Sequence, residues 1–222
     1  MNKDYIKNHI ETYDKVANEY NERFNSLYHK QWTNDEWRRF FAKHITKDSN
    51  VLEVGSGSCR MLNIMSSITD KTSAVELSPQ MAKYSKMNSP KSNIIVADIK
   101  KVSFADKVFD VIFTDAFIHC FPMQDINFVL SKFYEWLKDN GNLIVGTTLH
   151  DEHKEGFLDK ENYIDAPKRF RTQFTAETFA DTLKNNKFNI VEQYNHQSTA
   201  KHETGKLFTL TLAVCEKNLE SI

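Results

Sequence analysis

Short apolar runs separated by polar or glycine-containing segments recur through the middle of the chain. The first, at residues 51–54, ends in the turn Gly55-Ser56-Gly57, and an apolar segment at residues 61–65 then begins a helix. Similar runs follow at residues 73–78, 93–99 and 108–115. Runs of this length suit buried parallel strands, and a strand, a glycine turn and a helix form the first unit of a doubly wound α/β sheet. The pattern therefore predicts a fold that binds ligands at the carboxyl ends of its strands.

Each of these runs carries an acidic residue near its end, namely Glu53, Glu76, Asp98 and Asp115. Glu76 follows Glu53 by just over twenty residues, the spacing at which a second parallel strand presents a carboxylate to ribose hydroxyls. A single acid at a strand end is an ordinary solvated terminus. Four in order favour a nucleoside-cofactor site.

The placement of the first acid separates two kinds of nucleoside cofactor. Dinucleotide folds use Gly-x-Gly-x-x-Gly, in which the third glycine packs the helix on the strand beside a pyrophosphate. Here the third position is Arg60, which disfavours a nicotinamide-dependent oxidoreductase. Glu53 lies two residues before Gly55 and can approach a cationic amino group, so the pattern favours a nucleoside that carries an amino acid.

These residues resemble the class I S-adenosylmethionine-dependent methyltransferases, of the small-molecule type, from about Tyr13 to Val214. The resemblance is carried by four segments, Glu53-Val54-Gly55-Ser56-Gly57, Glu76-Leu77-Ser78-Pro79-Gln80-Met81, Ala97-Asp98-Ile99 and Phe109-Asp110-Val111-Ile112-Phe113. The family often has a third glycine at the position of Cys59. We expect Cys59 to keep ordinary helical dihedrals, which would make its side chain tolerable there.

The resemblance implies that S-adenosyl-L-methionine is the cofactor and S-adenosyl-L-homocysteine its product. It places Glu53, Gly55 and Gly57 around the amino-acid portion and Glu76 on the ribose hydroxyls. The remaining cofactor-binding residues that it implies are Leu77 and Met81 along the adenine, Ala97, Asp98 and Ile99 at its amine and ring, Thr114 at the border of the site, and Tyr20 from an N-terminal helix over residues 13–20.

The rest of the chain completes the fold that the resemblance implies, a Rossmann-like, doubly wound, seven-stranded sheet with an antiparallel last strand and an N-terminal helical lid. Thr33 and Glu36 match a capping box before a helix over residues 37–44. Helical spacing covers residues 126–137, a helix opens at Thr175, and further strands are predicted at residues 143–146, 188–194 and 207–214. We expect one methyltransferase domain over residues 1–222, with a lid at 1–48 and a catalytic core at 49–216.

Composition limits the partners. The 222 residues carry a formal net charge of −1, which offers no general attraction for nucleic acids. Cys59, Cys120 and Cys215 lack metal or redox spacing and are expected to be reduced. The start of the chain has no signal-peptide pattern, and no segment is apolar enough to cross a bilayer. We therefore expect a cytoplasmic protein without a membrane partner, and the oligomeric state is left open.

Three residues are candidates for catalysis. His119 follows the fourth strand and is either a general base, since an ordinary histidine pKa of about 6.5 suits proton removal, or a buried residue that supports its loop. Asp115 at the strand tip and His150 in the polar loop 147–153 compete with it, and Tyr20 is a further competitor for the role of base. His150 and His153 are too few for a metal site, so no metal is expected. The basic segment 168–171 is either a solvated surface or a receiver of a substrate carboxylate.

Together these features predict methyl transfer to an oxygen, nitrogen or sulfur atom of a small molecule. The strand tip Thr114-Asp115-Ala116-Phe117 lacks the Asp/Asn-Pro-Pro-aromatic sequence associated with methylation of amide or exocyclic amine nitrogens. One alternative is a methyltransferase of RNA or protein, which would show a basic face beside the site. Another is a non-catalytic regulatory protein that binds S-adenosylmethionine and has no acceptor pocket.

Overall fold

A central sheet with helices on both faces organises the computed structural model, which describes residues 4–26, 33–158, 167–197 and 207–215. The helices are α1 (Tyr5–Ser26), α2 (Asn34–Phe41), α3 (Arg60–Met65), α4 (Pro79–Asn88), α5 (Met123–Trp136) and α6 (Ala176–Asn185). The strands are β1 (Val51–Val54), β2 (Thr72–Glu76), β3 (Asn93–Val96), β4 (Phe109–Asp115), β5 (Leu137–Leu149), β6 (Lys154–Leu158), β7 (Arg169–Gln173), β8 (Phe188–Gln197) and β9 (Leu207–Cys215).

Seven of these strands form the sheet, in the order β3-β2-β1-β4-β5-β9-β8. β1 pairs in parallel with β2 and β4, while β9 runs antiparallel to both β5 and β8. The predicted doubly wound sheet with an antiparallel last strand is confirmed. The chain moves outward from β1 to β2 and β3, and then returns to add β4 and β5 on the other side. Such a reversal opens a crevice at the carboxyl ends of β1 and β4.

The core has an apolar layer on each face of the sheet. All four residues of β1 are buried, as a strand covered on both sides requires. On one face α5 buries Ile126, Val129, Leu130 and Phe133, whose spacing matches a single helix stripe. On the other face the α2 residues Trp37, Phe40 and Phe41 pack with α3. Helix packing on both faces thereby holds the sheet rigid below the edge that the carboxyl ends of its strands form.

Helix α1 lies against α4, which follows β2. Val16 and Ala17 of α1 pack on Met81, with the rings of Tyr13, Tyr20 and Tyr84 around them. The Asp14 carboxylate accepts hydrogen bonds from the Ser78 hydroxyl and from the Gln80 N–H at the start of α4. The first N–H groups of a helix lack partners within the helix. The Asp14 carboxylate therefore gives the Gln80 N–H an acceptor and at the same time joins α1 to the start of α4.

The capping box before α2 is confirmed. Thr33 Oγ1 accepts from the Glu36 N–H at 3.2 Å, and Glu36 Oε2 accepts from the Thr33 N–H at 2.6 Å. The division into a lid at residues 1–48 and a core at 49–216 stays a prediction, and residue 216 lies outside the described residues.

A hairpin between β5 and α6 was not predicted from the sequence. β6 and β7 form a separate two-stranded antiparallel sheet, and the basic segment at residues 168–171 runs into β7. The alternation Arg169-Phe170-Arg171 has the period of a strand, but its charged residues give no apolar face to recognise. Arg169 is buried, so it is not part of a solvated surface. The other differences concern element bounds. α1 covers Tyr5–Ser26 and α2 ends at Phe41, while α5 ends at Trp136, β5 begins at Leu137 instead of residue 143, and β8 continues to Gln197.

Candidate active site

The glycine turn after β1 brings two aromatic side chains against its backbone. Gly55 has φ +71°, and a Cβ there would lie 2.4 Å from Cδ2 of Phe117. Gly57 has φ +53°, and a Cβ there would lie 3.3 Å from Cε1 of Tyr20. Both residues therefore use the left-handed region that glycine adopts readily, and both allow a close approach to backbone. Tyr20 of α1 covers the turn from above.

Cys59 has left-handed dihedrals, φ 60° and ψ 31°, so the expectation of ordinary helical dihedrals is wrong. The residue stands at the entry to α3, where the chain has to turn left-handed before its first helical residue, Arg60. A side chain in this conformation costs about 1 kcal/mol relative to glycine. The Cys59 side chain is fully buried with the α3 residues, and burial raises the pKa of its thiol to about 12. It is thus a packing residue rather than a nucleophile.

Glu76 connects the end of β2 to the glycine turn of β1. Its Oε2 accepts from the Gly57 N–H at 2.8 Å, and its Oε1 accepts from the Ser78 N–H at 2.8 Å. The carboxyl group is buried, and this burial raises its pKa to about 7 in spite of the opposing backbone hydrogen bonds. Glu76 thus carries a proton far more readily than an exposed glutamate does.

Glu53 and Asp115 lie near Glu76 and complete what we call the carboxylate cluster. Glu53 Oε2 accepts from the Leu62 N–H of α3 at 3.0 Å. Burial raises the pKa of Glu53 well above its ordinary value, and the charges of Asp115 and Glu76 raise it further. Glu53 therefore faces two other acidic groups, and a cation beside it would favour its ionised form.

The tip of β4 turns sharply into the cleft. Asp115 lies so close to β5 that a Cβ on Gly146 would be 2.1 Å from its Oδ1, and Ala116 has φ +53°. The Asp115 side chain is exposed to the cleft, yet the surrounding protein desolvates it enough to raise its pKa to about 6. Thr114 is buried and donates from Oγ1 to the Val54 carbonyl at 2.9 Å, which ties β4 to β1.

Asp98 stands at the end of β3. Its Oδ1 accepts from the Lys100 N–H at 3.0 Å and so caps a short 3-10 helix over Ile99–Lys101. Leu77, Ala97 and Asp98 are half-buried at this edge. In contrast, Met81 and Ile99 are buried in the apolar clusters under the site.

The two candidate histidines follow β4 and β5 along the chain. His119 is only 2% exposed, in a 3-10 helix over Ile118–Cys120, with its Nδ1 2.9 Å from Oγ1 of Thr147 on β5. The backbone N–H of His150 donates to the Phe174 carbonyl at 2.7 Å, and its side chain is half-buried. Asp115 is therefore the most open of the three candidates for catalysis.

Sequence reasoning did not identify Tyr13 as a site residue. Its hydroxyl forms a hydrogen bond with the Cys120 thiol, and burial and Cys120 raise its pKa while the charges of Arg169 and Arg171 lower it. The available signal was the spacing of Tyr13 and Tyr20, seven residues apart and therefore on one face of α1.

The described ranges, residues 4–26, 33–158, 167–197 and 207–215, contain neither a metal-type cluster nor a membrane-type helix. Within them, no three histidine, cysteine, aspartate or glutamate side chains are grouped as a metal site requires. No helix there has the length and apolar character needed to cross a bilayer.

Comparisons with known proteins point to one family. Residues 52–145 match the family model described as a methyltransferase domain. The search of curated proteins gave no match. Among solved structures, a Burkholderia thailandensis 1,6-didemethyltoxoflavin-N1-methyltransferase, with its acceptor and S-adenosylhomocysteine bound, is similar at 13% identity and a TM-score of 0.68, covering 94% of this chain and 89% of that one.

Two archaeal structures are similar as well. An S-adenosylmethionine-dependent methyltransferase from Methanosarcina mazei has 13% identity and a TM-score of 0.69, over 79% of this chain and 96% of that one. A proposed methyltransferase in complex with the Haloferax volcanii Trm112 methyltransferase activator has 12% identity and a TM-score of 0.71, over 96% of this chain and 99% of that one. At these identities the structures establish a common fold.

The left-handed geometry of Cys59 predicts an inverted order of stability for two variants. At an ordinary position alanine is more stable than glycine, but here Cys59→Gly relieves the strain that Cys59→Ala retains. We expect Cys59→Gly to be the more stable variant by about 1 kcal/mol. Urea denaturation of both proteins measures the difference, and a more stable Cys59→Ala would show that position 59 is not left-handed in solution.

The raised pKa values of Glu76 and Asp115 predict the direction of the pH dependence. Their pKa values rise on folding, from 4.5 to about 7 and from 3.8 to about 6, so the folded protein binds protons more tightly than the unfolded chain. This stabilising effect is complete below the unfolded pKa values and is lost as the pH rises toward 7. The free energy of unfolding of the parent protein, minus that of Glu76→Gln, should therefore fall as the pH rises from about 5 to about 7.

Urea denaturation across this pH range, without ligand, measures that difference. Asp70→Asn, which removes an exposed carboxylate, serves as the matched control and should give a curve parallel to the parent protein. A parallel curve for Glu76→Gln as well would contradict the raised pKa of Glu76.

Proposed function

We propose that the chain is a class I S-adenosylmethionine-dependent methyltransferase, since residues 52–145 match a methyltransferase-domain model, and that it methylates an oxygen, nitrogen or sulfur atom of a small molecule. The observation that carries the proposal is the cover over the ends of β4 and β5, formed by α1 and β7. Asn8 Nδ2 of α1 donates to the Lys168 carbonyl beside the start of β7, and Thr172 Oγ1 of β7 donates to the Phe121 carbonyl at 2.6 Å. A covered site suits a compact acceptor better than an extended polymer.

The residues at the other end of the cleft fit the cofactor. Gly55 and Gly57 let the turn after β1 lie directly against the rings of Phe117 and Tyr20. We assign Glu76 to the ribose hydroxyls and Asp98 to the adenine amine, with Leu77 and Ala97 at their sides and with Met81 and Ile99 supporting them from the core. The carboxylate cluster suits a cationic ligand, and Glu53 is our assignment for its amino-acid portion. When bound, S-adenosylmethionine supplies an electrophilic methyl group on a sulfonium.

The protein's own contribution is orientation and, for an acceptor that carries a proton, proton removal. Holding two reactants in line can lower a barrier by roughly 7–11 kcal/mol. We assign Asp115 as the base, because it is open to the cleft and its pKa of about 6 suits proton acceptance near neutral pH. We assign His119, which is buried against Thr147, as a positioning residue that holds the segment after β4. His150 borders the acceptor from the end of β5.

A macromolecular acceptor is the second candidate. One similar structure is a complex with a methyltransferase activator protein, and the arginines of β7 give the site a basic border. The cover formed by α1 and β7 and the net charge of −1 favour the small molecule.

Cofactor binding tests the role of Glu76. Glu76→Ala should weaken the binding of S-adenosylhomocysteine by about 1–3 kcal/mol, because the ribose hydroxyls lose a buried acceptor. Isothermal titration calorimetry measures this, with Glu152→Ala as the control at an exposed glutamate. Glu76→Gln, which keeps one acceptor oxygen, replaces the alanine variant if that protein does not fold. Unchanged affinity in a folded variant would remove Glu76 from the site.

Kinetics separate the roles of Asp115 and His119. With an acceptor found by screening, Asp115→Asn should lower the turnover number by about 10²–10⁴ and remove the acidic limb of the pH profile. His119→Asn should lower the melting temperature and keep that limb. If the limb disappears in His119→Asn and survives in Asp115→Asn, the two roles are exchanged.

A further inference from the structure

The two arginines of β7 share one face of the strand. Side chains alternate along a strand, so Arg169 and Arg171 point to one side while Phe170 and Thr172 point to the other. Thr172 donates to the Phe121 carbonyl, and the Phe170 ring packs on Tyr5 at 5.8 Å between centroids. The face with Phe170 and Thr172, the second face, thus makes the contacts that hold β7 in place. The face with Arg169 and Arg171, the first face, carries both guanidinium groups.

The first face is partly buried, and open space lies beside it. Arg169 is only 7% exposed, and Arg171 is half-buried. Gly156 of β6 is the cross-strand partner of Arg171, and nothing lies within 4 Å of the place where its Cβ would be. Directly opposed residues of an antiparallel pair point to the same side, so this open volume lies beside the Arg171 side chain.

Tyr13 connects this volume to the tip of β4. The charges of Arg169 and Arg171 both act on the Tyr13 hydroxyl, which in turn forms a hydrogen bond with the Cys120 thiol. Cys120 Sγ donates to the Ala116 carbonyl at 3.7 Å, and Ala116 directly follows Asp115. A chain of contacts therefore leads from the catalytic edge to the two arginines.

We propose that Arg169 and Arg171 bind an oxyanion of the methyl acceptor, a carboxylate or a phosphate group. Guanidinium groups bind both by parallel charge-assisted hydrogen bonds. The inference rests on the proposed function, since it names the class of small molecule that this site accepts.

The experiment uses the full chain saturated with S-adenosylhomocysteine and measures thermal shifts with matched probes. The charged probes are benzoate and phenyl phosphate, the neutral probes are benzamide and phenol, and inorganic phosphate is added separately. Sodium chloride keeps the ionic strength constant. Saturable stabilisation by a charged probe and none by its neutral partner is the expected result, and the two charged probes distinguish a carboxylate from a phosphate.

Three variants locate the binding. Arg171→Gln should weaken the binding of the charged probe by about tenfold. Arg171→Lys should weaken it by less, because lysine keeps the charge but loses the paired hydrogen bonds. Arg169→Gln should also weaken the binding of the charged probe. If the Arg169→Gln variant does not fold, the variants of the half-buried Arg171 provide the test. Lys168→Gln removes the same charge from the exposed neighbouring position and should leave binding unchanged.

Two results would overturn the inference. One is equal stabilisation by charged and neutral probes or by neither, and the other is an equal loss of probe binding in Lys168→Gln and Arg171→Gln. Throughout, the variants should keep the parent affinity for S-adenosylhomocysteine. Methyl transfer to a neutral small molecule, with no effect of Arg171→Gln, would remove the oxyanion site alone. Methylation of RNA or protein only would remove the proposed function as well.

Discussion

The contact on which the site depends is the pair of hydrogen bonds made by the Glu76 carboxylate. One joins it to the Gly57 N–H of the turn after β1, and the other to the Ser78 N–H at the start of α4. Three elements that are separate in sequence thereby share one buried acceptor. Burial of a carboxylate opposes its ionisation, while the two N–H donors favour it, and the resulting pKa of about 7 shows that burial dominates. The ionisation of Glu76 is consequently sensitive to a ligand that binds beside it.

Local backbone strain accompanies this contact. Cys59 and Ala116 both have positive φ, although each carries a Cβ, and they lie at the entry to α3 and at the exit from β4. Strained residues persist where surrounding structure fixes them, and they concentrate at functional sites. Here the turn at Gly55 lies against Phe117, the residue after Ala116, so the two strained turns are packed on each other. Two of the five non-glycine residues with positive φ in the described ranges thus lie at the crevice between β1 and β4, and the other three are Lys107, Asn140 and Lys187.

The sheet was predictable because strands buried on both faces leave long apolar runs, and because Glu53, Glu76 and Asp98 mark their ends in order. The β6–β7 hairpin was not, since Arg169 and Arg171 alternate with apolar residues and read as surface. The dihedrals of Cys59 could not be derived from its side chain, since they are imposed by the path of the chain into α3. The burial of His119 depends on Thr147, which is close only after β4 and β5 have paired.

Charge is divided between the two ends of the cleft. The carboxylate cluster lies at the end that we propose for the cofactor, and the arginines of β7 lie beyond Tyr13 at the end that we propose for the acceptor. An acceptor with an anionic group would be repelled from the first end and attracted to the second, so electrostatics alone would select one of its two orientations. That orientation turns the part of the acceptor remote from its anion toward Asp115 and the cofactor. The same polarity would favour the cationic cofactor over its neutral product.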